Sequence, residues 1–160
     1  ASLILFADLI KRPEYSHYKY LIAGKKGWYY KKIFKAVKEL GLTGSVVFLG
    51  YVADRYIADL YLHAKCLLFL SHYEGFGIPP VEALYFNRPV LVNDIPVFHE
   101  IYGNLASYIN CSKMNENLKK YTGELIRTIN KKDIRSREII ERKFNSGYQV
   151  RKFLELIRKM

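Results

Sequence analysis

The chain has 160 residues, half of them apolar and 15% aromatic, and its 26 Lys and Arg against 15 Asp and Glu give a net charge of +11. That is enough for one domain with a real core, and it excludes a largely disordered chain. No apolar run approaches the ~20 residues of a membrane span, and the first stretch, ASLILFADLIKR, has neither a basic leader nor a clear cleavage site, so a signal peptide is not expected.

Residues 1–12 permit strand or helix: Leu5 and Leu9 share a helical face, but Leu3, Ile4 and Phe6 blur the period. Tyr18 to Ala23 is predicted as a strand ending at Gly24, with Lys25 and Lys26 at its C-terminal end, where open α/β sheets bind ligands. Those lysines suit either a diphosphate or a solvated loop. Trp28 to Leu40 is predicted as an amphipathic helix, with Tyr30, Ile33, Val37 and Leu40 on one stripe and Gly41 as its stop. Ser45 to Leu49 is β-branched and aromatic, a strand followed by the loop Gly50-Tyr51-Val52. Asp54 is placed to cap a helix running to about Ala64, with Ile57, Leu60 or Tyr61, and Ala64 facing inward.

Cys66 to Leu70 reads as a buried strand that Ser71 and His72 leave. Glu74 opens a tight turn, Gly75-Phe76-Gly77. Pro79 and Pro80 suit the start of a helix, with Glu82 expected in its first turn. Exposed loop amides and a helix N-terminus favour an anion. The two carboxylates have an ordinary reading, as a loop residue and a helix-end charge. They also have a sharper one, because a carboxylate accepts hydrogen bonds from vicinal hydroxyls, as on ribose. A nucleotide-sugar offers a diphosphate and two sets of hydroxyls.

Pro89 to Asn93 is a short buried strand, with Ile95 to Ile101 a short helix and Leu105 to Ile109 an edge strand. His99 and Glu100 read as helix-start caps. Helices are predicted over Glu116 to Asn130, Asp133 to Lys143 and Gly147 to Lys159, the last with an apolar stripe of Val150, Phe153, Leu154 and Ile157. Strands and helices alternate, and the strands run apolar without alternation. An α/β fold is predicted, a doubly wound, mainly parallel sheet with helices on both faces and C-terminal helices beyond it.

The segment HYEGFGIPPVEALYFNR, with Glu74 and Glu82 separated by seven residues around a Gly-Phe-Gly turn and a proline, resembles the signature of retaining nucleotide-sugar glycosyltransferases of the GT-B fold, family 4 or glycosyl transferases group 1. The likeness extends over Ala1 to Asn110, through YKYLIAGKKGWYYKKI, VVFLGYV and IPVFHEIYGNLASYIN. It implies a donor-binding, Rossmann-like half of such an enzyme, occupying 1–160 as a single domain. It makes 1–12 the first helix, and implies that the central strand before it and an N-terminal acceptor domain belong to a longer protein. It gives Glu74 a catalytic role on a donor-sugar hydroxyl and Glu82 the ribose hydroxyls. The amides of Gly75, Phe76 and Gly77 would contact sugar or diphosphate, with Lys25 near the phosphates and Tyr51 and Val52 beside the base. The implied partners are a nucleotide-diphosphate sugar and, through the absent domain, an acceptor glycan or lipid-linked sugar. No cofactor or metal is expected, since helix dipole and basic side chains can neutralise a diphosphate. A departure is Asn87-Arg88, where the family has a small glycine-containing turn.

Other chemistries lack their patterns. There is no GxGxxG after a strand, no GxxxxGK[ST], no HExxH and no GxSxG. His17, His63, His72 and His99 have no metal-ligand spacing; His72 could line the cleft, though a solvated loop residue is its simpler reading. A glycosidase could use paired carboxylates, but has no need of a phosphate-binding helix end. Cys66 and Cys111 are expected as buried thiols in a cytosolic protein. The charge has three competing readings, namely nucleic acid, an anionic membrane surface and a phosphorylated substrate. Interleaving of Lys31, Lys32, Lys35 and Lys38 with apolar residues makes a solvated helix face the simplest, with a membrane surface next and nucleic acid not expected. The competing functional class is a non-catalytic binding domain on the same fold.

Overall fold

The structure is a computed structural model that describes residues 1–25, 27, 30–131 and 135–144. Its helices are α1 (Ser2–Leu9), α2 (Tyr30–Glu39), α3 (Ile57–His63), α4 (Ile78–Tyr85), α5 (Pro96–Tyr102), α6 (Leu118–Ile129) and α7 (Ser136–Phe144). Its strands are β1 (Tyr20–Ala23), β2 (Val46–Gly50), β3 (Leu67–Phe69), β4 (Val90–Asn93) and β5 (Ser107–Ile109). The stretch 1–12 resolves as the helix Ser2–Leu9, and the edge strand and the helix after it fall where expected. Trp28 and Tyr29, Asp133, and the whole helix predicted over Gly147 to Lys159 lie outside the described residues.

All strand pairs are parallel, as predicted. Among the described residues they form two sheets, β1-β2 and β3-β4-β5, so β1 and β3 each keep one unpaired edge. The free edge corrects the expectation for Cys66 to Leu70: all three residues of β3 are half-buried, whereas every residue of the central β4 is buried. Successive side chains of a strand point to opposite faces. Accordingly Leu91 joins one core while Val90 and Val92 join the other. The first core takes Val81, Leu84 and Tyr85 of α4 and Phe98 and Tyr102 of α5. The second takes Leu5, Phe6 and Leu9 of α1, with Tyr121 and Leu125 of α6. It also receives Tyr20 and Ile22 from β1 and Leu68 from β3, so α1 lies across both sheets.

The stripe predicted for α2 is corrected. Only Val37 is buried there, while Ile33 and Leu40 stand 40% and 36% exposed. The helix leans on β2 through Val37 and through Phe34, whose ring stacks on Phe48 at 4.1 Å. The two-stranded sheet has nothing broader to offer it.

Asn87 resolves the departure at Asn87-Arg88. It adopts φ +53°, the left-handed conformation that closes a helix and that glycine usually supplies. Its amide bonds to the Leu84 carbonyl and the Arg88 amide to the Ala83 carbonyl. Unlike glycine it brings a side chain, whose Oδ1 accepts from the Arg137 amide at 3.0 Å. Ser136, fully buried, donates to the Leu84 carbonyl. The end of α4 therefore seats the start of α7.

Candidate functional site

The loop after β3 is built from its anchor points outward. Asn93, buried at the end of β4, donates to the Ser71 carbonyl at 3.0 Å and accepts from the Cys111 amide at 2.9 Å. That fixes where the chain leaves β3. Further along, the Tyr102 hydroxyl lies 3.0 Å from the Phe76 carbonyl and 2.5 Å from that of Gly77, sharing one proton between them. Gly77 has φ +81°, and a Cβ there would sit 2.7 Å from the Tyr102 hydroxyl and 2.9 Å from Phe98. Only glycine fits. With two carbonyls turned inward, the amides of Gly75, Phe76 and Gly77 engage no acceptor among the described residues. Glu74 is half-buried beside them. Burial first, and then the Glu74 charge, hold the Tyr102 hydroxyl well above its ordinary pKa, so it stays a donor.

Helix α4 starts at Ile78, with Pro79 and Pro80 in its first turn as predicted. The prolines have no N–H, so two of the four amides that a helix start leaves open do not exist. The loop amides carry more of any anion contact than the helix end does. Glu82 is corrected: it stands at the fifth helical position, in the second turn. Its Oε2 accepts from the Tyr61 hydroxyl of α3 at 2.7 Å. Burial pushes its carboxyl above the usual range, the Tyr61 hydrogen bond opposes that, and Asp54 adds to it. Tyr61 is held in turn by its ring, stacked on Phe86 at 5.8 Å.

At the ends of β1 and β2, the Gly24 amide bonds to the Gly50 carbonyl at 2.8 Å and brings the two loops together. The Lys25 ammonium lies 5.3 Å from the Tyr51 ring centroid. Tyr51 is 66% exposed and therefore not a core residue, while Val52 is half-buried. Lys26 lies outside the described residues. The predicted residues thus gather into three groups: the Glu74 loop with Tyr102, Glu82 with Tyr61, and Lys25 with Tyr51. No hydrogen bond or ring contact among the described residues joins one group to another.

Some expectations fail here. Asp54 caps no helix; it opens a short 3-10 turn without a side-chain cap bond, and its charge helps to raise the Glu82 pKa. His99 sits at the fourth position of α5, not at its cap, with Nε2 2.6 Å from Asp94 and its ring stacked on Tyr108. His72 is exposed. Both cysteines are free thiols, as expected, but only Cys111 is buried; Cys66, just before the free-edged strand β3, is half-buried. Among the described residues no three His, Cys, Asp or Glu converge as a metal site, and no helix is long and apolar enough to cross a membrane. Sequence reasoning missed Tyr61 and Tyr102. The first was visible only as one of two inward candidates on α3. The second gave no signal, since 25 residues separate it from the loop it holds.

Parallel strands under helices, with a glycine loop and two carboxylates beyond one sheet, define a Rossmann-like domain of the GT-B kind. The chain belongs to the family described as glycosyl transferases group 1, whose model matches residues 1–142. It is 42% identical over 93 residues to the O-antigen chain mannosyltransferase RfbU of Salmonella typhimurium, covering 58% of this chain and 26% of that one. It is 35% identical over 110 residues to the serotype-specific mannosyltransferase WbdA of Escherichia coli, covering 68% of this chain and 13% of that one. The chain therefore spans about a quarter or less of these relatives. Among solved structures, a mutant of S. aureus TarM in complex with fondaparinux, α-GlcNAc-glycerol and UDP aligns with a TM-score of 0.71 at 25% identity, over 96% of this chain and 31% of that one. Anabaena HepE, in complex with UDP and glucose, aligns at 0.69 over 95% of this chain and 44% of that one, with 21% identity.

Proposed function

We propose that this chain is the donor-binding half of a retaining hexosyltransferase, which moves a sugar from a nucleoside diphosphate to an acceptor hydroxyl. The observation that carries it is the Tyr102-held loop, which sets the amides of Gly75, Phe76 and Gly77, without an acceptor among the described residues, next to Glu74. In such a transfer positive charge develops on the sugar and negative charge on the departing diphosphate. Fixed donors aimed at the diphosphate stabilise it without reorganisation. The loop amides and the Lys25 ammonium supply those donors. Glu74 holds a donor-sugar hydroxyl, Glu82 the ribose hydroxyls, and Tyr51 and Val52 flank the base. These residues require no metal to balance the leaving group. The relatives' names, O-antigen chain and serotype-specific mannosyltransferase, support mannose as the sugar, and the acceptor is a glycan or a lipid-linked sugar.

The edges of β1 and β3 that stay unpaired among the described residues suit one further parallel strand, and acceptor binding is assigned to a separate N-terminal domain. The enzyme works in the cytoplasm, at the membrane face where a lipid-linked acceptor would be met. The test is calorimetric titration of UDP, GDP and ADP into the chain and into Glu82→Gln. One nucleotide should bind to the parent and at least about tenfold more weakly to the variant, as expected for loss of a charged hydrogen-bond partner. Equal binding to both would remove Glu82 from the site.

A further inference from the structure

Glu82 is not free to turn. Its Oε2 takes the Tyr61 hydroxyl at 2.7 Å, and Tyr61 is itself braced by the face of Phe86. A carboxylate has about four lone-pair sites. The tyrosine occupies one, on Oε2, and leaves both sites of Oε1 and one of Oε2. That remainder matches two vicinal hydroxyls, each giving one proton to the same carboxylate. The tyrosine also acts on charge. Burial and Asp54 both favour a protonated Glu82, and the Tyr61 hydrogen bond is the influence that opposes them. A protonated carboxyl would lose an acceptor site to its own proton and, with it, the negative charge that strengthens the hydrogen bonds from both hydroxyls.

We propose that Tyr61 is a positioning residue, which fixes the orientation of the Glu82 carboxylate for a vicinal diol. This rests on the reading of Glu82 as the ribose contact, and it goes further by placing part of ribose recognition on α3, outside the two-glutamate segment. Tyr61 touches no ligand in this scheme. It works through Glu82, and the arrangement predicts discrimination for hydroxyls and not for phosphates.

The experiment uses whichever of UDP, GDP and ADP binds best, together with its 2′,3′-dideoxy form, on the parent chain, Glu82→Gln and Tyr61→Phe. The phenylalanine keeps the ring stack on Phe86 and removes only the hydroxyl. The parent should prefer the ribonucleotide by about tenfold or more. Glu82→Gln should abolish that preference. Tyr61→Phe should shrink it several-fold while leaving affinity for the dideoxy form unchanged, a split that general loosening of the fold would not produce. A parent that does not distinguish the two nucleotides, or a Glu82→Gln chain that still does, overturns the ribose reading and the role of Tyr61 with it. A Tyr61→Phe chain with the parent's full preference, beside a Glu82→Gln chain that has lost it, overturns the positioning role alone.

Discussion

At the scale of single residues, the loop depends on what Gly77 lacks. A methyl group there would collide with the Tyr102 hydroxyl and with Phe98, on a backbone already at φ +81°. Both obstacles are parts of the first core, and neither is the free end of a flexible chain. Gly77→Ala should therefore cost about 1–3 kcal/mol in stability, read as a lower urea midpoint. It should also weaken nucleotide binding, because relief of the clash moves Tyr102 off the carbonyls it holds. An alanine chain with the parent's midpoint would mean that the loop relaxes freely. The glycine itself was legible in the sequence as a turn residue. The reason it must be glycine was not, because that reason is a tyrosine 25 positions away.

At the scale of elements, α4 is the piece on which the site is mounted, and both its ends do more than stop a helix. Its start carries the loop. Its end carries Asn87, whose backbone takes the place of a glycine and whose side chain receives α7. These two tasks can be separated. Asn87→Gly keeps the left-handed turn and loses the acceptor, at about 1 kcal/mol for one hydrogen bond. Asn87→Ala loses the acceptor and also strains the turn by a further ~1–2 kcal/mol. The expected order of thermal midpoints is parent, glycine, alanine, and equal midpoints for glycine and parent would remove the side chain's role. From sequence, Asn87-Arg88 looks only like a departure from a glycine turn. The existence of α2 to α7 was legible because periodicity and stop residues are local, whereas residues 1–12 permitted either strand or helix. Which face of α2 is covered was not, since that depends on how many strands lie beneath it.

At the scale of the whole molecule, the two sheets are joined mainly through one face. Leu5, Phe6 and Leu9 of α1 pack on Tyr20 and Ile22 on one side and on Leu68 and Leu91 on the other. No strand pairing crosses between β1 and β3 among the described residues. Regions with few shared contacts open with lower free energy than the global transition. Amide exchange should therefore be faster in β1 and β2 than in β4, whose four residues are all buried. Uniform protection across all three strands would show that α1 alone makes the sheets cooperative. The fold class and the parallel order were legible because apolar strands alternate with helices. The division of the sheet was not, since each strand reads the same whether or not its neighbour is present.

That division has a consequence for recognition. Lys25 and Tyr51 stand on the β1-β2 side, and Glu74 and Glu82 on the β3-β4-β5 side. A small molecule that touched all four would be a clasp across the join. Part of its intrinsic affinity would go into holding the halves together. Measured dissociation constants would then understate how well the individual contacts are made, and anything that stiffened the join beforehand would tighten the ligand without touching it.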